Sequence, residues 1–353
     1  MTENIYTTKS WQDAASIARV HGFCVVEDFF APVEIANWEA VATGLSAMDR
    51  IKDFLSLPAF HPLLFDHRVL RLARALLGQD LIYYGETSCA IDNDPFRSWH
   101  CDARGTRKDV TADSEVSGSE VYPAWRFAIY FRDYRAASGG LKVSPGSHLK
   151  PPESMRSKER MDLEYLVDGQ RLTVPAPPFP IHNVQSRPGD LVIFNLRMFH
   201  SAGALLLKGS HQAQLMPEVE AFLLDRVPDL FEPYPAELRN ALFFDYGAPT
   251  EALDLYIKWR AHGILNDPKL HSALWDRSLR ETDAGVYSYD QVLPSRAAET
   301  HGVAPRYDRI IAQLLYKQKL IGPLSPADRV RLDRLFRINK EFSPFHSMTV
   351  HAH

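Results

Sequence analysis

Ser98-Trp99-His100-Cys101-Asp102 is the stretch whose reading decides the fold. It sets a histidine and an aspartate two positions apart, just after a segment, Leu81 to Asp92, with the composition of a strand. In an extended chain, residues i and i+2 point to the same face. This imidazole and this carboxylate are therefore neighbouring ligands for a divalent metal. The pair alone is a weak signal, because short motifs arise by chance. A third ligand from a neighbouring strand has to complete it.

Upstream, Thr8 to Val20 has apolar residues at helical spacing and stops at His21-Gly22. Gly22 to Phe30 reads as a buried strand, and Ala31-Pro32 opens a helix running to about Ser46. A further helix is expected over His67 to Gly78. Downstream, Ala103 to Pro123 is a long polar loop of the kind that often serves as a lid. Trp125 to Tyr134 alternates as a strand, and Ala136 to His148 reads as a Gly-Gly turn, a short strand and a Pro-Gly turn. Leu149 to Pro180, ending in a proline cluster, is expected to be loop or extended chain. Ser186 to Gly203 gives a turn and two strands, residues 204–238 form an insertion with helical character, and Arg239 to Gly247 is a last strand. Many short strands joined by Gly and Pro turns indicate a β sandwich or barrel. After Gly247 the periodicity turns helical. The division expected is a β domain over 1–247 and a helical C-terminal extension over 248–353, packed on the core.

Composition excludes several classes. The chain has 353 residues, 45% hydrophobic and 24% charged, which is ordinary for a globular protein. A formal net charge of -4 gives no reason to expect nucleic acid or an anionic membrane as partner. Three cysteines, Cys24, Cys89 and Cys101, without a C-x-x-C pair, argue against a disulfide scaffold and a thiolate zinc site. No apolar run approaches the roughly 20 residues needed to span a bilayer. No signal peptide is visible, so a cytoplasmic protein is expected.

Two histidines and one carboxylate on one face of an octahedron form the site type of non-haem Fe(II) oxygenases. His200 is the best third ligand, because it follows a turn and a buried strand and precedes Ser201-Ala202-Gly203. His182, between the prolines and that turn, reads as a solvated loop residue. His148 reads as a turn residue bonded to its own backbone.

Three segments then occur in the order of a known family: Trp99-His100-Cys101-Asp102, Gly139 to His148 ending in Pro-Gly-Ser-His, and Arg187-Pro188-Gly189-Asp190 followed by Phe199 to Gly203. The chain resembles, over about Gly22 to Gly247, the phytanoyl-CoA dioxygenase family of Fe(II)/2-oxoglutarate-dependent oxygenases. The resemblance implies a mainly β core with helices, a double-stranded β-helix (jelly roll, cupin-like), with His100, Asp102 and His200 holding iron.

It also implies a basic residue for the distal carboxylate of 2-oxoglutarate. No arginine stands shortly after His200, where the family usually has one. Lys208 can act as a point cation. Arg239 is preferred, because it opens the next strand and a guanidinium binds a carboxylate bidentately. Ala202 replaces the family's small hydroxyl residue, with Ser201 beside it. Arg126 either touches the cosubstrate or pairs with Asp133 or a glutamate. Tyr84, Trp99 and Arg104 are expected near substrate, Arg104 on a loop with Arg107 and Lys108.

The implied reaction, with O2 as cosubstrate, hydroxylates a C–H bond of a small organic molecule and releases succinate and CO2. Desaturation, epoxidation or ring closure would use the same site. Asp102 stands where halogenating relatives have a small residue. Two rivals stay open, a cupin-like metalloenzyme without 2-oxoglutarate and a non-catalytic β-sandwich binding or scaffold protein. The C-terminal helices are expected either to close the site or to join two copies as a homodimer.

Overall fold

The periodic segment before the first buried strand is a helix with an ordered start and stop. β1 (Thr7–Thr8) leads into α1 (Trp11–His21), where the Ser10 hydroxyl accepts the Asp13 N–H at 3.3 Å. Gly22 ends the helix at φ 83°, and a Cβ there would lie 2.4 Å from His148 Nδ1. Only glycine fits both the left-handed backbone and that approach. In the computed structural model, residues 4–45, 53–91, 99–103, 121–149, 162–167, 169–209, 215–234, 240–266 and 300–338 are described.

The chain continues as β2 (Phe23–Val26), α2 (Pro32–Gly44), α3 (His61–Leu64) and α4 (His67–Leu77). The Asp66 carboxylate caps α4 by accepting the Arg68 and Val69 N–H groups. Then follow β3 (Leu81–Tyr83), β4 (Ser88–Ile91), β5 (Ala124–Tyr130) and β6 (Gly140–Val143). A hairpin of β7 (Asp162–Val167) and β8 (Gln170–Pro175) precedes β9 (His182–Val184), β10 (Leu191–Asn195) and β11 (His200–Ala204). The insertion carries α5 (Pro217–Arg226), and β12 (Asn240–Gly247) follows it. The C-terminal part contains α6 (Glu251–Asn266), β13 (Val303–Pro305), α7 (Asp308–Ile321) and α8 (Pro326–Ile338).

The major sheet runs β1-β2-β10-β5-β12-β3-β13, with β4 also paired to β12. The minor sheet runs β11-β6-β9. Between them lies an apolar interior built by alternate residues, among them Phe23, Leu141, Val143, Val192, Phe194 and Phe243. This is a double-stranded β-helix. A second, larger core lies on the far face of the major sheet. There α1, α2 and α4 pack with Phe127, Ile129, Leu242 and Phe244, and Ala261, Leu265, Ile311 and Leu335 from the C-terminal helices share the same cluster. β13 adds a parallel strand beside β3, which stitches the C-terminal segment to the major sheet.

One reading gains detail and two need correction. The segment expected to be loop or extended chain holds extended chain paired as the β7–β8 hairpin, turned at Gly169 with φ 79°. Leu163, Tyr165, Leu172 and Val174 face the satellite core of the insertion, while Glu164 and Leu166 stay exposed. That alternation drives the strands together despite the polar composition. His182 is not a loop residue. It lies on β9 with its ring 4.6 Å from Tyr6 and 5.4 Å from Phe23, and burial pushes its pKa down to about 4. His148 does not bond its own turn either, for its Nε2 lies 2.9 Å from the Arg19 carbonyl at the end of α1.

Candidate metal centre

His200 opens β11, and the extended segment carrying His100 lies directly against it. The His100 N–H donates to the His200 carbonyl at 2.9 Å, and the His200 N–H donates back at 2.8 Å. This single antiparallel bridge sets the two imidazoles side by side, with ring centroids 4.3 Å apart. Asp102 returns to the same face two residues on. Its Oδ1 lies 3.8 Å from His100 Nε2, and its Oδ2 lies 3.9 Å from His200 Nε2. The three ligand atoms all fall within 4.8 Å of one another.

The donor set fits a divalent first-row metal. His200 Nδ1 lies 2.9 Å from the Met198 carbonyl, so that nitrogen carries the proton and Nε2 presents a lone pair. Burial pushes the His200 pKa down to about 4, which keeps the ring in the neutral form that ligation requires. Burial alone would raise the Asp102 carboxyl, but the Arg126 guanidinium, with His200 and His100, outweighs it and lowers the pKa. Two imidazoles and one carboxylate match iron and its neighbours, and not the all-oxygen shells of calcium or magnesium.

Behind the ligands lies a buried ionic cluster. Arg126 Nη1 donates to Asp102 Oδ2 at 2.8 Å, while its Nε and Nη2 donate at 2.8 Å to Asp245 Oδ1 and Oδ2. Asp245 is fully buried. Its pKa is pushed up to about 6 by burial, against the pull of Arg126. The Tyr84 hydroxyl sits 3.4 Å from Asp245 Oδ2. Above the ligands a cavity of about 210 Å³ opens, with Ser88, Leu141, Phe194, Ala202 and Phe243 around it.

The structure brings His100, Asp102, His200 and Arg126 together at this cavity. Arg126 pairs with Asp102 and Asp245; Asp133 is instead taken by Arg135. Ser201 does not line the cavity. Strand alternation turns His200 and Ala202 inward and puts Ser201 on the outer face, opposite Lys142. Tyr84 also stays behind the site, in the core with Ala103 and Tyr256. Trp99 packs with Phe179, Ile181 and Phe199 in a separate apolar cluster. Neither touches the cavity. Lys208 lies beyond the end of β11, where its N–H donates to the Leu230 carbonyl, and it does not line the cavity. Arg104, Arg107, Lys108 and Arg239 lie outside the described residues. Asp245 was missed by sequence reasoning. Its signal was a lone carboxylate inside the apolar run Asn240–Gly247, a placement that demands a buried partner.

Comparison with known proteins yields one sequence family. The family model described as Phytanoyl-CoA dioxygenase (PhyH) matches residues 18–210, more than half of the chain. No curated protein sequence matches. Among solved structures, the non-heme alpha ketoglutarate dependent epimerase SnoN from nogalamycin biosynthesis is 17% identical, covering 68% of this chain and 83% of that one, with a TM-score of 0.41. AviO1 from Streptomyces viridochromogenes Tue57 is 18% identical over 69% of this chain and 97% of its own, with a TM-score of 0.42. EctD from S. alaskensis with bound Fe is 17% identical over 66% and 75%, with a TM-score of 0.39.

Proposed function

The chain belongs to the phytanoyl-CoA dioxygenase family, and from that premise we propose that it is an Fe(II)/2-oxoglutarate-dependent oxygenase that hydroxylates an unactivated C–H bond of a small organic substrate. The observation that carries this reading is the convergence of two imidazoles and one carboxylate on a single cavity. His100, Asp102 and His200 are the iron ligands. Bound there, iron with 2-oxoglutarate and O2 supplies the oxidising power for C–H hydroxylation, with succinate and CO2 released.

The chain's own residues orient and enclose. The Met198 carbonyl fixes the tautomer of His200, and Arg126 fixes the carboxylate of Asp102. Phe194, Leu141 and Phe243 give the cavity apolar walls that keep water from the reacting atoms. Arg239 is assigned to the distal carboxylate of 2-oxoglutarate. In sequence it immediately precedes β12, whose Phe243 lines the cavity. A carboxylate at Asp102 favours hydroxylation over halogenation. Among the described residues, no helix is long and apolar enough to cross a membrane.

The test is an anaerobic titration of the apoprotein with Fe(II) and then 2-oxoglutarate, following the visible metal-to-ligand charge-transfer band, with Arg239→Ala and Lys208→Ala alongside. The reading expects a band that Arg239→Ala weakens and Lys208→Ala leaves unchanged. Weakening by Lys208→Ala instead moves the carboxylate site to Lys208. Iron binding without any band removes 2-oxoglutarate from the account and leaves a cupin-like metalloenzyme.

A further inference from the structure

We infer that Asp245 is a positioning residue for the metal ligand Asp102, acting through Arg126. The inference rests on the metal-binding reading above and names a residue beyond the segment that the family model matches.

A carboxylate at 0% exposure within an apolar strand is costly unless charge and hydrogen bonds compensate it. At Asp245 the compensation is a fork-to-fork pair. Asp245 and Arg126 stand opposite each other on β12 and β5, and two parallel N–H···O bonds of 2.8 Å hold the guanidinium in one plane. With that plane fixed, Arg126 has Nη1 left to aim, and it meets Asp102 Oδ2 at 2.8 Å. The clamp thus determines where the metal-ligating carboxylate points. A lysine at 126 keeps the charge and loses the plane.

Asp102 and Arg126 alone would cancel, which weakens the electrostatic attraction of the carboxylate for a cation. Asp245 gives the Arg126 guanidinium a carboxylate of its own, so Arg126 does not neutralise Asp102 one to one. The clamp is backed from the C-terminal part of the chain. Tyr84, whose hydroxyl reaches Asp245, packs edge-on against Tyr256 of α6 with ring centroids 6.0 Å apart.

The experiment titrates metal-free full-length protein with Mn(II) or, anaerobically, Fe(II) in a calorimeter. Wild type is compared with Asp245→Asn and Arg126→Lys, and metal-free melting temperatures are recorded in parallel. Positioning predicts a loss of about ten- to a hundredfold in metal affinity for both variants, as when an outer partner of a ligand is removed. Unchanged affinity with a lowered melting temperature would mean a purely structural pair and would overturn the inference. So would full affinity in Arg126→Lys, since charge alone would then suffice. Should Asp245→Asn fail to fold, Arg126→Lys decides. If wild type itself binds no metal, the functional reading has failed and not this inference alone.

Discussion

Two buried charge clusters lie on either side of the minor sheet, one on its outer face and one across the interior on the major sheet, and only the second is built to take a further partner. On the outer face, Lys142 of β6 reaches into the insertion. Its Nζ donates to the Leu215 carbonyl at 2.6 Å and to Glu220 Oε1, which also accepts the Leu205 N–H at 3.1 Å. One cation meets one anion, and chain atoms fill the remaining contacts. On the interior side, Arg126 and Asp245 of the major sheet meet Asp102, two carboxylates share one guanidinium, and the outermost carboxylate looks onto two imidazole nitrogens at a cavity. A cluster that closes on itself holds elements together. One that presents a carboxylate beside two imidazole nitrogens at a cavity is fitted to a cation.

The largest effect that would sharpen this contrast is on stability. Lys142→Met leaves Glu220 buried without its cation and is expected to cost about 3–5 kcal/mol in denaturant unfolding of the metal-free protein. Metal affinity should stay within about twofold of wild type. Adding Glu220→Leu should restore most of the loss, because apolar packing can replace a buried ion pair. A drop in metal affinity from Lys142→Met would erase the distinction between the clusters.

A smaller effect comes from another buried ionic cluster, under the C-terminal helices. Arg260 of α6 donates through Nε and Nη2 to Glu86 at 2.9 Å each, and Arg309 Nη1 approaches the same carboxylate at 3.7 Å. Burial would raise the Glu86 carboxyl, but the two guanidinium groups prevail and hold it at about 2, below its ordinary 4.5. A carboxyl depressed in the fold contributes stability above its unfolded value and loses it as pH falls toward the folded one. Acid unfolding between about pH 4.5 and 2 should therefore carry a component of roughly 3 kcal/mol that Glu86→Gln abolishes. An unchanged acid profile in that variant would contradict the assignment.

The contrast also shows what the sequence could reveal. His100 and Asp102 were legible as a pair because their two-residue spacing keeps both side chains near one point, although the chain bridges β11 only at His100 and turns at Asp102. His200 was legible because a Pro-Gly turn and a buried strand, Leu191–Asn195, lead up to it. Helices such as Trp11–His21 and His67–Leu77 follow from apolar spacing and their caps. Lys142 looks like an ordinary strand lysine until α5 covers it, and its partner stands 78 residues away. The Arg126–Asp245 pair spans 119 residues, and only the sheet order makes them neighbours. Trp99 and Ser201, each next to a ligand in sequence, lie away from the cavity for one reason. Proximity in sequence to a ligand says little about which face a side chain takes, and alternation sends every second residue away from the cavity.

The account stands on the inner cluster being a metal site, and the most direct measurement is calorimetric titration of Fe(II) into anaerobic wild type, Asp102→Ala and Lys142→Met. The account predicts one ion per chain for wild type and Lys142→Met. For Asp102→Ala, with a ligand removed, affinity should fall by at least about a hundredfold. Equal binding by Asp102→Ala and wild type, or no binding by a folded wild type, would contradict it.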